Sequence, residues 1–251
     1  MSKNTRRVAL ITGASNGVGK ACAKRFAKLG FDIVVNYHTA LDDAKDTVAL
    51  VEAAGGQALL AQCDVGQDAK VKQMIQAVEE RFGRIDVIVN SAGMTYFVDH
   101  LDLDGMTEEK WDRILAVNTK GPFFVIRAAY PLMKASDIAS VVNISSASAF
   151  TGTGSSIAYA ASKGALNTMT KTLAKAFAPG IRVNAVCPGP INSRWLHQGL
   201  TEEQIEKAVS QLLIPELIQP EDVAGTVTYL ALESTKSTGQ TLVLDGGRTM
   251  R

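Results

Sequence analysis

The apolar positions of the chain fall into two alternating patterns. Val8-Ala9-Leu10-Ile11 is an unbroken apolar run, which predicts a strand covered on both faces. Residues 20–29 read as a helix that Gly30 stops. The pair then recurs, with strands predicted over 31–37, 58–63, 85–89, 140–144, 181–186 and 241–244. One-sided apolar spacing predicts helices over 41–54, 68–82, 107–118, 121–134, 157–177, 200–213 and 221–232. The stripe of the first of these is Leu41, Ala44, Val48 and Val51, ended by Gly55-Gly56. Residues 145–156, rich in glycine and serine, read as a loop, and Pro188-Gly189-Pro190 as the break that ends the sixth strand.

Strand and helix alternating from end to end predict an α/β fold: a doubly wound sheet of about seven parallel strands with helices on both faces. The strands are continuous apolar runs, as burial on both faces requires. Neither a repeat nor a linker interrupts the pattern, so residues 1–251 read as a single domain. In such sheets ligands bind at the carboxyl ends of the strands, and the polar clusters after the first, third, fourth, fifth and sixth strands should converge there.

Composition narrows the function classes. A net charge of +1 and a pI of about 7.7 argue against a nucleic-acid surface. Cys22, Cys63 and Cys187 are widely spaced and form no CxxC pair or disulfide framework, which suits the reducing cytoplasm. Only four apolar residues separate Arg7 from Thr12, too few for a signal peptide, and no apolar run approaches the length of a membrane span.

The chemistry starts at Thr12-Gly13-Ala14-Ser15-Asn16-Gly17-Val18-Gly19, between the first strand and the first helix. Glycines let the backbone turn tightly and approach a pyrophosphate, and the helix N-terminus offers it free N–H groups. Tyr159 and Lys163, four apart on a predicted helix, share a face. A neighbouring ammonium is expected to lower the phenol pKa and make Tyr159 a usable general acid or base. Ser146, at the end of the fifth strand, is placed to hold a substrate oxygen beside Tyr159. Asn118, set deep in Leu115-Ala116-Val117-Asn118, needs its amide hydrogen bonded; a cap near a helix end is the alternative reading.

These residues, with Asp64, Asn90-x-Ala92-Gly93 and Pro188-Gly189, resemble the short-chain dehydrogenase/reductase family over nearly the whole chain. The C-terminal stretch from Thr238 to Gly247 resembles its beta-ketoacyl-carrier-protein reductase-like branch. Ser91 departs from the usual Asn-Asn-Ala-Gly. The resemblance implies a Rossmann-type fold and a hydride transfer between a nicotinamide dinucleotide and a carbonyl compound or secondary alcohol. Tyr159 would exchange the proton, Ser146 orient the substrate oxygen, and Lys163 bind the nicotinamide ribose. Asn118 would support a water linking Lys163 to solvent. The loop Gly13, Ser15, Asn16, Gly17, Val18 and Gly19 would take the pyrophosphate, and Asp64 and Val65 would meet the adenine. Asn90, Ala92, Gly93, Pro188, Gly189 and Ile191 would border the cofactor. The resemblance also implies a homotetramer paired through the long helices around 104–134 and 157–177 and the final helix and strand. The apolar surplus there, Phe123 to Ile126 with Leu166, Met169 and Leu173, supports it in part.

NADP(H) is expected over NAD(H), with NAD(H) tolerated. The ribose-binding carboxylate of an NAD site would fall at Asn36-Tyr37-His38-Thr39, where no acid stands. Asn36 and Thr39 can hydrogen bond to a phosphate, and His38 adds charge when protonated. Residues 94–97, 147–153 and a mobile lid around 190–214, with Trp195, His197 and Leu200, would select the substrate. Two other readings fit the fold: a non-catalytic cofactor-binding regulator, and an isomerase or dehydratase.

Overall fold

The computed structural model describes residues 6–250. Seven strands, β1 (Val8–Thr12), β2 (Asp32–Tyr37), β3 (Ala58–Gln62), β4 (Val87–Asn90), β5 (Ser140–Ile144), β6 (Arg182–Pro188) and β7 (Thr241–Leu244), form one sheet. Every pairing is parallel and the order is β3-β2-β1-β4-β5-β6-β7. The inner strands β1, β2, β4 and β5 are buried at every residue, while the edge strands β3 and β7 are partly open.

The alternation of side chains along β1 divides the core. Ala9 and Ile11 join one apolar cluster with Phe26, Phe31, Val51 and Val223. Val8 and Leu10 join the other with Val71, Ile75, Val78, Ile126 and Met133. The first face is covered by α1 (Gly17–Lys28), α2 (Leu41–Ala53) and α10 (Pro220–Thr228). The second is covered by α3 (Asp68–Phe82), α5 (Gly121–Met133) and α7 (Ile157–Phe177). The apolar stripes read from the sequence are thus the faces that bury.

Three local expectations are corrected. The helices predicted over 107–118 and 121–134 are one continuous run: α4 (Glu108–Leu115) passes into α5 through a π-helical turn, Ala116–Lys120. Gly121 keeps helical torsions there, so the chain does not break. The 145–156 loop contains a short helix, α6 (Ser148–Thr151). The helix over 200–213 is shorter, α9 (Glu202–Ser210) with a Thr201–Gln204 capping box, and an unexpected short helix, α8 (Arg194–Gly199) capped by Ser193, precedes it. Pro188 ends β6 from inside the strand, beside the edge strand β7. No helix among the described residues is long and apolar enough to cross a membrane.

Candidate active site

Two chambers open at the carboxyl ends of the strands, about 740 and 670 Å³ in volume. Tyr159, Pro188, Gly189, Ile191, Ser193 and Trp195 line both, so they meet at the tyrosine.

The larger chamber lies over the glycine turn. Gly13, Ser15, Asn16, Gly17 and Val18 form its floor. Gly17 has φ of 51° and nothing within 4 Å of where a Cβ would stand, so the backbone is bare towards the cavity. Asn16 makes no side-chain cap on α1, and the first N–H groups of that helix have no side-chain acceptor. A bare turn ending at an uncapped helix suits a pyrophosphate, and the residues present therefore fit a dinucleotide. Gly19 does not line the chamber. A Cβ there would stand 2.2 Å from the Gly13 carbonyl oxygen, so this glycine lets the turn close on itself.

His38, Thr39, Asp64 and Val65 line the same chamber, with Ala92, Gly93, Lys163 and Ile191 further along. Asn36 lines it too, but its amide is committed inside the protein. Its Oδ1 accepts from Gly13 N at 3.2 Å, and its Nδ2 donates to the Ala61 and Cys63 carbonyls at 3.1 and 3.2 Å. The expected hydrogen bond from Asn36 to a phosphate is therefore corrected: this residue ties the glycine turn to β3. Tyr37 and Asn90 are corrected as well, because neither reaches the cavity. Tyr37 points to the opposite face of β2 and packs in the core. Asn90 donates from Nδ2 to Asn143 Oδ1 at 2.9 Å, and Asn143 donates in turn to Thr170 at 2.9 Å, within the interior.

Two arginines that sequence reasoning missed line this chamber. Arg113 of α4 holds Asp64 at 2.9 Å, and Arg194 of α8 holds Asp43 of α2 at 2.6 Å. Burial would raise the Asp64 carboxyl, but hydrogen bonds from Arg113 and Gly66 carry it below the usual range. His38 stands 4.0 Å from the same carboxylate. Both arginines meet their partners across long stretches of chain, and no local spacing signals either.

The tyrosine is held from several sides. Ser156 caps α7 by accepting from Tyr159 N at 3.2 Å. Asn118, wholly buried in the π turn, accepts from Met94 N and donates to Met94 O, both at 2.9 Å, and donates to Ser162 Oγ at 3.0 Å. Ser162 Oγ donates to the Tyr159 carbonyl at 2.7 Å. The amide of Asn118 is thus satisfied as required, from inside a continuous helical run rather than at a helix end. A π turn re-aims a side chain that a regular helix would point elsewhere. Ser145 Oγ donates to the Lys163 carbonyl at 3.2 Å, fixing the next turn of α7.

Burial pushes the Tyr159 phenol up to about 12, while a hydrogen bond with Ser146 pulls the other way. Burial also lowers Lys163 to about 8; its Nζ donates to the Ile144 carbonyl at 2.8 Å and stands 5.7 Å from the Tyr159 ring centre. The expectation that the ammonium would bring the phenol pKa down is corrected: burial sets the upward direction, and the opposing pull comes from Ser146 and not from Lys163. At neutral pH the site holds a protonated phenol beside a lysine that remains largely charged.

Ser146 lines the smaller chamber with Phe97, Leu196 and Leu200. The Trp195 ring meets Tyr159 edge-on, centres 5.7 Å apart. The segment 190–214 therefore reaches both chambers, Arg194 on the rim of one and Trp195 against the tyrosine. His197 lies outside, hydrogen bonded to Asn192 at 3.0 Å.

A twisted parallel sheet with a glycine turn at the carboxyl end of its first strand, and a buried Tyr–Lys pair beside a serine, defines a dinucleotide-fold oxidoreductase. A family model described as enoyl-(acyl carrier protein) reductase matches residues 13–249. The chain is 38% identical over 241 residues to a putative ketoacyl reductase of granaticin polyketide synthase from Streptomyces violaceoruber, covering 96% of this chain and 95% of that protein. It is 35% identical over 249 residues to glucose 1-dehydrogenase 2 of Bacillus subtilis, covering 98% and 96%. A putative short-chain dehydrogenase/reductase from Burkholderia xenovorans superposes with a TM-score of 0.93 at 34% identity, covering 99% of this chain and 100% of that one. The chain belongs to the short-chain dehydrogenase/reductase family, in its ketoacyl-reductase-like branch.

Proposed function

We propose that the protein is an NADP(H)-preferring oxidoreductase that interconverts a carbonyl compound and a secondary alcohol, with Tyr159 exchanging the proton. The observation that carries this reading is the position of Tyr159 where the two chambers meet, with Ser146 lining the smaller one. Nicotinamide would supply or accept the hydride. This chain's residues do the rest. The bare turn at Gly17 and the α1 N-terminus bind the pyrophosphate. Tyr159, kept protonated by burial, donates to the carbonyl oxygen during reduction, and Ser146 shares that oxygen. Lys163 reaches the ribose from the same face of α7 and steadies the phenolate that donation leaves. Asn118 acts as a positioning residue through Ser162, since its amide is fully engaged.

The cofactor preference rests on the absence of an acid at the end of β2, where Asn36 is spent and His38 and Thr39 face the rim. Segment 190–214 acts as the lid of a single 1–251 domain, and three buried free cysteines suit a cytoplasmic protein. Homotetramer formation is supported by exposed apolar side chains at Phe123 of α5, Tyr229, and Leu242 and Val243 of the edge strand β7. Val125, Ile126, Leu166 and Leu173 belong to the core instead.

The test is kcat/KM with NADPH and with NADH on a panel of carbonyl compounds, for the wild type and Tyr159→Phe. The wild type should favour NADPH. The variant should bind NADPH as before and lose about three orders of magnitude in turnover. Near-normal turnover in Tyr159→Phe removes the mechanism, and a tenfold preference for NADH removes the cofactor assignment.

A further inference from the structure

The smaller chamber carries one feature that the hydride chemistry does not use. Arg248 lines it from the C-terminal turn, half-buried. Among the described residues no hydrogen bond, ion pair or ring contact holds its guanidinium, whereas the two arginines of the larger chamber are each paired with an aspartate. The backbone that presents it is built to stay in place. The buried Asp245 carboxylate accepts from Gly247 N at 2.9 Å and from Thr249 N at 2.8 Å, one residue to either side of Arg248. The Gly246 carbonyl accepts from Leu213 N and Ile214 N at 2.7 and 3.0 Å, tying the same turn to the end of the lid.

His100 lines the same cavity, but its Nε2 is buried away from it, so Arg248 supplies the cationic group of this lining. Asp99 is the one acid in the lining, and its Oδ1 already accepts from Leu101 N at 2.8 Å. The remaining walls are apolar or hydroxyl-bearing, apart from Gln204, whose Oε1 accepts from Thr201 N at 2.9 Å. A half-buried, unpaired guanidinium presented by a well-held turn matches a planar anion bidentately.

We propose that the substrate of this site is a keto acid or hydroxy acid whose carboxylate is held by Arg248, while its carbonyl or hydroxyl lies at Tyr159. This rests on the redox reading above, and names the class of compound that the site accepts. Arg248 is then a specificity-determining residue, not a catalytic one.

The experiment compares unbranched keto acids of increasing length with their methyl esters, on wild type, Arg248→Met and Arg248→Lys. Direct binding is followed by tryptophan fluorescence, which Trp195 in the chamber reports, and turnover by NADPH oxidation. For at least one chain length the wild type should prefer the acid by tenfold or more in kcat/KM, a charge-assisted hydrogen bond being worth about 1.5–3 kcal/mol. Arg248→Met should erase that preference by raising KM for the acid, with the ester unchanged. Arg248→Lys should restore part of it. Esters turned over as well as acids by the wild type, or equal losses on both in Arg248→Met, overturn the carboxylate assignment and leave the redox reading standing. Acids that bind in an Arg248-dependent way without turnover leave the anion site standing and remove the redox reading.

Discussion

The two chambers share Tyr159 and Trp195 but are built differently. The glycine-turn chamber is framed by main chain: the turn itself, Asn36 bridging it to β3, and Thr12 Oγ accepting from Ser91 N and Ala92 N at 3.1 and 3.0 Å. The lid chamber is framed by side chains on loops and short helices, and Phe97 and Trp195 stay well exposed. One side is fixed by backbone geometry that tolerates little change. The other is fixed by side-chain volume and charge, which can vary without disturbing the sheet. A fold that serves many substrates with one cofactor chemistry needs this division.

The comparison breaks most sharply at Gly19. Gly19→Ala drives a methyl group onto the Gly13 carbonyl and the Ala14 Cα, both main chain. The turn must open, at a cost of roughly 3 kcal/mol. Dinucleotide affinity by titration calorimetry and Tm should fall together; a variant with both unchanged would contradict the backbone account.

Lys163 tests the boundary between the chambers. Its folded pKa of about 8 lies below the ordinary 10.5, so the unfolded chain binds the proton more tightly. The charged lysine therefore costs stability at neutral pH, and the cost fades as pH rises from about 8 towards 10.5. Lys163→Met should unfold later than the wild type at neutral pH, by roughly 1–3 kcal/mol, while losing turnover. The advantage should shrink in thermal melts at alkaline pH. A less stable variant at neutral pH would mean that the bond to the Ile144 carbonyl outweighs desolvation.

The smallest effect belongs to the lid side. Trp195→Ala removes one edge-on ring contact, worth about 1 kcal/mol. KM for the carbonyl substrate should rise several-fold, with NADPH affinity and Tm nearly unchanged. A large drop in Tm would show that the lid supports the fold.

Legibility followed the same divide. The strand and helix alternation is visible because both sheet faces are buried, and the glycine turn because main-chain constraints leave few residue choices. The pair Tyr159 and Lys163 is visible because helical spacing is regular. The role of Asn36 is not legible, because nothing in a strand sequence says which carbonyls its amide will meet. Asn118 is half legible: its apolar neighbours show its need for partners, but the π turn that delivers them has no local signature. Arg113 and Arg194 were invisible because their aspartates lie far along the chain. Arg248 sits beside a recognisable C-terminal stretch, yet only the folded turn shows which cavity it enters.

The strand order also sets a timetable for folding. β1 lies inside the sheet, yet one of its neighbours, β4, begins at Val87. Until that strand is made, β1 and β2 can pair but the other edge of β1 is bare, an apolar strand with unpaired main chain. Closing it requires a long loop, which parallel sheets form slowly. A nascent chain stalled before β4 thus exposes the kind of apolar, unpaired edge that favours aggregation.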